Sequence, residues 1–147
     1  GSHSKQVSCK NYAARWVKVR DYPSENVKTQ QIEVRTEKLD NLIPESRKID
    51  FIKIDVEGAE LMVLQGAKET IRRSKPFIVF EFGLGASNYY NTDPSTMFSF
   101  FDKEMDYHIF LIDKFLKNKP PLDLAEFERQ YNERINYYFV AAPKSKG

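Results

Sequence analysis

The stretch from Ile49 to Glu81 constrains the fold more than any other part of the chain. Ile49, Phe51, Ile52 and Ile54 form a short run that is apolar on both faces, the composition of a strand buried in the middle of a parallel sheet. Asp55-Val56-Glu57-Gly58 ends this run. From about Ala59 to Arg73 the apolar positions Leu61, Leu64, Ala67 and Ile71 recur at helical spacing, which predicts a helix. Arg72 and Arg73 fall in its last turn, where the helix dipole favours cations, and Lys75-Pro76 stops it. Phe77 to Phe80 is a second β-rich run that leads into Glu81. Strand, helix and strand in this order form a crossover unit with parallel strands and a right-handed connection, half of a nucleotide-binding type of sheet.

The flanking segments extend the unit into an α/β domain with a mixed sheet. Gln31 to Thr36 alternates around Ile32 and Val34 like a half-buried strand, and Glu37 to Ile43 reads as one helical turn closed by Pro44. Downstream, Gly83-Leu84-Gly85 reads as a turn, followed by a polar loop to about Pro94. A helix is predicted from Ser95 to Glu104, with Met97, Phe98 and Phe101 on its apolar side. Tyr107 to Ile112 reads as a strand, Lys117 to Pro121 as a break, Leu124 to Tyr131 as a short helix and Tyr137 to Ala142 as a closing strand. Upstream, Val7 to Val19 reads as a strand or hairpin arm, with a turn at Asp21-Tyr22-Pro23-Ser24. Residues 1–4, Gly-Ser-His-Ser, read as the scar of a cleaved purification tag, residues 5–30 as an N-terminal arm and residues 31–147 as the domain proper.

Composition narrows the functional classes. The 147 residues carry 23 Lys+Arg against 21 Asp+Glu, so no clustered basic excess points to nucleic acid. A hydrophobic fraction of 41% can fill one core at this length without disulfides or a structural metal. The single cysteine, Cys9, can build neither an intramolecular disulfide nor a Cys-rich metal site. A reducing, cytoplasmic setting is the expectation. No apolar run approaches the roughly 18 residues of a membrane helix, so a membrane partner is not expected.

Ligands of open α/β sheets bind beyond the carboxyl ends of the strands, which singles out Asp55-Val56-Glu57-Gly58 and Glu81-Phe82-Gly83. Asp55, Glu57 and Glu60 lie within six residues of one another, and Glu81 ends the neighbouring strand. Such carboxylates could hold a hard cation, bind ligand hydroxyls or supply a general base. Alternatively, Asp55 and Glu57 merely cap the helix, a contribution of about 0.3–1 kcal/mol. Lys53 could neutralise Asp55 or Glu81, reach a ligand, or snorkel from an edge strand. Gly83-Leu84-Gly85 lacks the further glycines and the Lys-Ser/Thr of a phosphate loop. His108 lies inside a predicted strand and reads as structural; Ser-His-Asp catalysis would rest on it alone. Asn88, Tyr89 and Tyr90 lie in a loop that could cover the site.

Ile49-Asp50-Phe51-Ile52-Lys53-Ile54-Asp55-Val56-Glu57-Gly58-Ala59-Glu60, followed by Val63-Leu64-Gln65-Gly66-Ala67, Lys75-Pro76 and Glu81, resembles the core signature of FkbM-type methyltransferases. Val34 to Asp40 resembles the segment that precedes this signature. Tyr107 to Ile112 and Asn136 to Pro143 resemble the last two strands, so the likeness spans Ile32 to Lys144. It implies a Rossmann-like, class I methyltransferase fold, S-adenosylmethionine as cofactor and O-methylation of a sugar or related small-molecule hydroxyl. It further implies Asp55, Glu57 and Glu81 as catalytic residues, Asp55 being the first choice of base. Lys53 and Asp55 are implied at the cofactor, and Glu57, Glu60, Asn88 and Tyr89 at the acceptor. No metal is implied. Glu60, one helical turn beyond Glu57, could equally stand behind the groups that touch substrate.

Enzymes of this type begin with a strand and Gly-rich turn that hold the cofactor, then a second strand ending in an acid for the ribose. No glycine follows the tag before Ile32, so the chain reads as the C-terminal portion of such a fold, with its N-terminal strands missing and the domain incomplete for cofactor binding. The outer edge of Ile49–Ile54 would then be unpaired, a template for association. Either the Val7–Val19 arm covers it, or two chains pair as a homodimer. A non-catalytic, methyltransferase-derived binding or dimerisation module is the alternative function. A carboxylate–metal hydrolase using Asp55, Glu57 and Glu81 is a third, disfavoured because no histidine lies near those positions.

Overall fold

The computed structural model describes residues 15–17, 32–85 and 87–144. Strands β1 (Arg15–Val17) and β2 (Ile32–Val34) pair antiparallel. A single helical turn, α1 (Leu39–Leu42), leads to the main sheet. That sheet has the order β3-β4-β6-β5, with β3 (Phe51–Ile54), β4 (Phe77–Glu81), β5 (Tyr107–Leu111) and β6 (Tyr138–Pro143). β3 and β4 are parallel, whereas β6 lies antiparallel between β4 and β5. The sheet is therefore mixed, as the element pattern predicts.

Side chains alternate across a sheet, and the register assigns each face. Ile54, Ile78, Phe80, Phe139, Ala141 and Ile109 share one face, and all are buried. They join one core with Leu61, Leu64, Ala67 and Ile71, the positions the helical period picks out. Met97, Phe101, Phe127 and Tyr131 complete it, supplied by helix α4 (Pro94–Ser99), its π-helical continuation Phe100–Met105, and helix α6 (Leu124–Asn132). On the other face, Phe115 of helix α5 (Ile112–Leu116) sets its ring edge against Phe77 and Phe110, at 5.6 and 5.2 Å between centroids. Ile112 therefore belongs to a helix rather than to the end of the strand. Its β-branched character suits a strand, but packing of Phe115 overrides that local preference.

The predicted single helix over 59–73 is two helices, α2 (Glu60–Gln65) and α3 (Lys68–Ser74). The break comes from α1. The Asp40 carboxylate accepts from the backbone N–H groups of Glu69 and Thr70, at 3.1 and 2.8 Å, while its own N–H donates to the Gly66 carbonyl at 3.0 Å. A cap supplied from far upstream starts α3 afresh and satisfies two of its first-turn donors. Lys75 then enters the left-handed region at φ 48°, and Pro76 stops the helix.

For β3 the expected burial on both faces fails: it is the outer strand of the four, with the free edge expected of Ile49–Ile54, and of its residues only Ile54 is buried, while Phe51 is 58% exposed. β1, the described part of the Val7–Val19 arm, pairs with β2 rather than with β3. Residues 7–14 and 18–19 of that arm lie outside the described residues. Among the described residues no helix is long and apolar enough to cross a membrane.

Replacing the upstream cap should be costly. Asp40→Ala is expected to lower stability by about 1–2 kcal/mol in urea unfolding, and Asp40→Asn, which keeps an acceptor, by less. Equal losses for the two variants would show that the cap is not the source.

Candidate functional site

Parallel pairing of Ile54 with Phe80 sets the carboxyl ends of β3 and β4 side by side. The next residue of β3 is Asp55, and the last of β4 is Glu81. Carboxylate oxygens of Asp55, Glu57 and Glu81 all lie within 4.8 Å of one another, with Glu81 half-buried and the other two exposed. Lys53 reaches forward from the strand, its Nζ 3.1 Å from Asp55 Oδ2. The pair is exposed, so its own contribution to stability is small. Sequence reading brings these four residues to one place, and the structure puts them there.

Crowded like charges cannot all ionise at their ordinary values. Burial pushes the Glu81 carboxyl up to about 7; its hydrogen bond to Asp55 and the charges of Asp55, Glu57 and Glu60 push in the same direction. Asp55 moves the other way, held below its ordinary range by the hydrogen bond from Glu81 and then by Lys53. A hydrogen bond between two carboxyls needs a proton on one of them, and the opposite shifts favour Glu81 as the group that keeps it. The negative charges of Glu81 and Asp55 also raise the phenol of Tyr138, which stands directly opposite Glu81 on β6.

Backbone conformation at the tip is unusual. Glu57 has φ 53° and Gly58 φ 100°, so a residue with a Cβ occupies left-handed space. This costs on the order of 1–2 kcal/mol and persists only where its surroundings hold it. The holding group is Glu60, which is 2% exposed and whose Oε1 accepts from the N–H groups of Val56 and Gly58, each at 3.2 Å. Glu60 therefore faces inward on the turn, the second of the two placements that its sequence position leaves open. Nor do Asp55 and Glu57 cap α2, whose N-cap is Ala59 without a side-chain bond.

Asn88 and Tyr89 lie in a 3-10 turn, Ser87–Tyr90, and their side chains fall outside what the structure describes. The turn is anchored by Ser87, whose buried hydroxyl donates to the Gly83 carbonyl at 2.8 Å and hydrogen-bonds the Tyr131 hydroxyl at 2.6 Å. Gly83 is a glycine for space: a Cβ there would sit 2.3 Å from the Tyr137 ring. The Phe82 N–H also donates to the Tyr137 carbonyl at 2.7 Å, fixing β6 against the tip of β4. These long-range partners of the site, Tyr131, Tyr137 and Tyr138, carry no spacing signal in the sequence. His108 pairs with Ala142 toward the opposite end of the sheet, in an edge-to-face contact with Phe110 at 6.2 Å between ring centroids, so it is remote from the tips.

Three oxygen donors at this spacing suit a hard cation, and equally the hydroxyls and positive charge of an organic ligand. Residues 6–109 match the Methyltransferase FkbM domain family. The chain belongs to that family. No curated protein and no solved structure matches it. The FkbM match begins upstream of Ile32, contains both acidic tips and ends within β5, so β6 with Tyr137 and Tyr138 lies beyond it.

The charge pattern of this FkbM site predicts a pH-dependent stability. Because folding raises the Glu81 value from 4.5 to about 7, its contribution is fully present below pH 4.5 and is lost as pH rises to about 7. Asp55 acts with the opposite sign, but only below its ordinary 3.8. The melting temperature of Glu81→Gln is therefore expected to gain on that of the native chain between pH 5 and 8. A constant difference over that range would contradict the shared proton.

Proposed function

We propose that the domain is an S-adenosylmethionine-dependent O-methyltransferase acting on a hydroxyl of a sugar or related small molecule, with Glu81 as the proton acceptor. The observation that carries this reading is the Asp55–Glu81 pair at the strand tips of an FkbM-family domain, where one carboxyl titrates near neutrality. A base works best when its value lies near the working pH, and this favours Glu81 over the more acidic Asp55. Parallel β3 and β4 with a helical crossover, and a ligand placed beyond their carboxyl ends, support a Rossmann-like, class I fold.

The sulfonium of the cofactor supplies an electrophilic methyl group when bound, and its positive charge and ribose hydroxyls are complementary to a tip built of carboxylates. In this reading Asp55 and Lys53 would meet the cofactor, and the exposed Glu57, converging with Asp55 and Glu81, would meet the acceptor. Glu81, once ionised, would take the proton of an acceptor hydroxyl held beside it. Asp55 orients Glu81 through their hydrogen bond. Alignment of hydroxyl with methyl supplies the larger part of the acceleration.

Calorimetric titration of S-adenosylhomocysteine, followed by transfer of labelled methyl to a panel of monosaccharides and glycosides, tests the reading. The Gly-rich cofactor turn is absent from this sequence, so the reading requires the acidic tips and the dimer partner to rebuild the cofactor site; on that basis binding and transfer are expected, with kcat rising through pH 7. Glu81→Gln should lower kcat by about 10²–10⁴-fold and leave cofactor binding in place. Saturable cofactor binding with no loss of rate in Glu81→Gln would remove Glu81 from this role. The same reading includes a homodimer formed at the β3 edge, where Phe51 is 58% exposed. Light scattering across micromolar concentrations is expected to return a dimer mass, and a monomer mass throughout would contradict it.

A further inference from the structure

Glu57 reaches the carboxyl pair only because its backbone is left-handed, and nothing in its own side chain favours that state. Its φ is 53°, and its carboxylate approaches two others to within 4.8 Å, so both sterics and charge oppose the arrangement. The N–H groups on either side of it, of Val56 and Gly58, turn inward toward α2. The N-cap of α2 is Ala59, which has no side chain to meet them. Glu60 does so alone, both bonds going to its Oε1 from a residue that is 2% exposed.

We propose that Glu60 is the positioning residue of the site: its buried carboxylate clamps the backbone on both sides of Glu57 and thereby aims Glu57 at Asp55 and Glu81. The clamp accounts for why a carboxylate is retained in a buried place where an apolar side chain would pack more cheaply. It also divides the acids by task, since Asp55, Glu57 and Glu81 converge on ligand space while Glu60 converges on the backbone. The catalytic consequence rests on the methyltransferase reading above; the structural one does not.

Glu60→Gln and Glu60→Ala separate the possibilities, because a glutamine carbonyl oxygen can accept both N–H bonds and alanine can accept neither. Amide hydrogen exchange, measured by NMR on the full chain, is the primary readout. In Glu60→Ala the Val56 and Gly58 amides are expected to exchange about tenfold faster, as for a net hydrogen bond lost, with Leu64 and Phe80 unchanged. Glu60→Gln is expected to restore native protection. Unchanged protection in Glu60→Ala would overturn the proposal, and so would a loss in both variants that spreads to Leu64 and Phe80, which would make Glu60 a residue of the core. In methyl transfer, Glu60→Ala should lower kcat while leaving KM for the donor unaltered, again restored by glutamine. A kcat unchanged in Glu60→Ala would overturn the positioning role. Absence of transfer in the native chain would instead refute the enzymatic reading, and the exchange data would still decide the clamp.

Discussion

The pairing of Ile54 with Phe80 ties the stability of this domain to its chemistry. Both side chains belong to the buried face of the sheet, with Ile78, Phe139 and Ala141. A slip of β3 against β4 by one residue would turn Ile54 and Ile52 to the wrong face, exposing apolar surface at about 25 cal/mol per Å². The core therefore enforces the register, and the register brings Asp55 beside Glu81. No separate device is needed to assemble the acidic pair. The close approach of Tyr137 to Gly83 then fastens β6 to the same tip and leaves Tyr138 opposite Glu81.

What the core assembles, electrostatics opposes. Three carboxylates converge with the exposed Lys53 beside them, and a fourth, Glu60, is buried behind. The conflict is relieved by a shared proton between Asp55 and Glu81 and by backbone N–H groups turned onto Glu60. A left-handed Glu57 adds strain at the same point. Such local costs concentrate where a structure is shaped for a ligand rather than for its own stability. Under the proposed methyl transfer this cost has a purpose, since a carboxyl pushed up to about 7 is suited to receiving a proton.

Much of this is visible in the sequence, and the limits have physical causes. The strand-helix-strand unit is legible because its apolar periods are local, and the convergence of Asp55 and Glu81 follows from parallel topology once the two strands are recognised. The break between α2 and α3 is not, because it is made by Asp40 some thirty residues upstream through hydrogen bonds that leave no period. Glu60 looks like one more acid of a cluster; only its burial shows that it turns to the backbone. The composition of β3 suggests a central strand, whereas sheet order, a property of the whole domain, places it at the edge. Tyr131 and Tyr137 support the site from elements distant in sequence, and nothing local marks them.

The central claim is that Asp55 and Glu81 share a proton at the tips of β3 and β4. Carboxyl ¹³C NMR, with Glu81 assigned by its loss in Glu81→Gln, reads that proton directly. The account predicts a Glu81 midpoint near 7, with the Asp55 signal responding over the same pH range. A Glu81 midpoint at its ordinary 4.5, with Asp55 silent as it titrates, would contradict it.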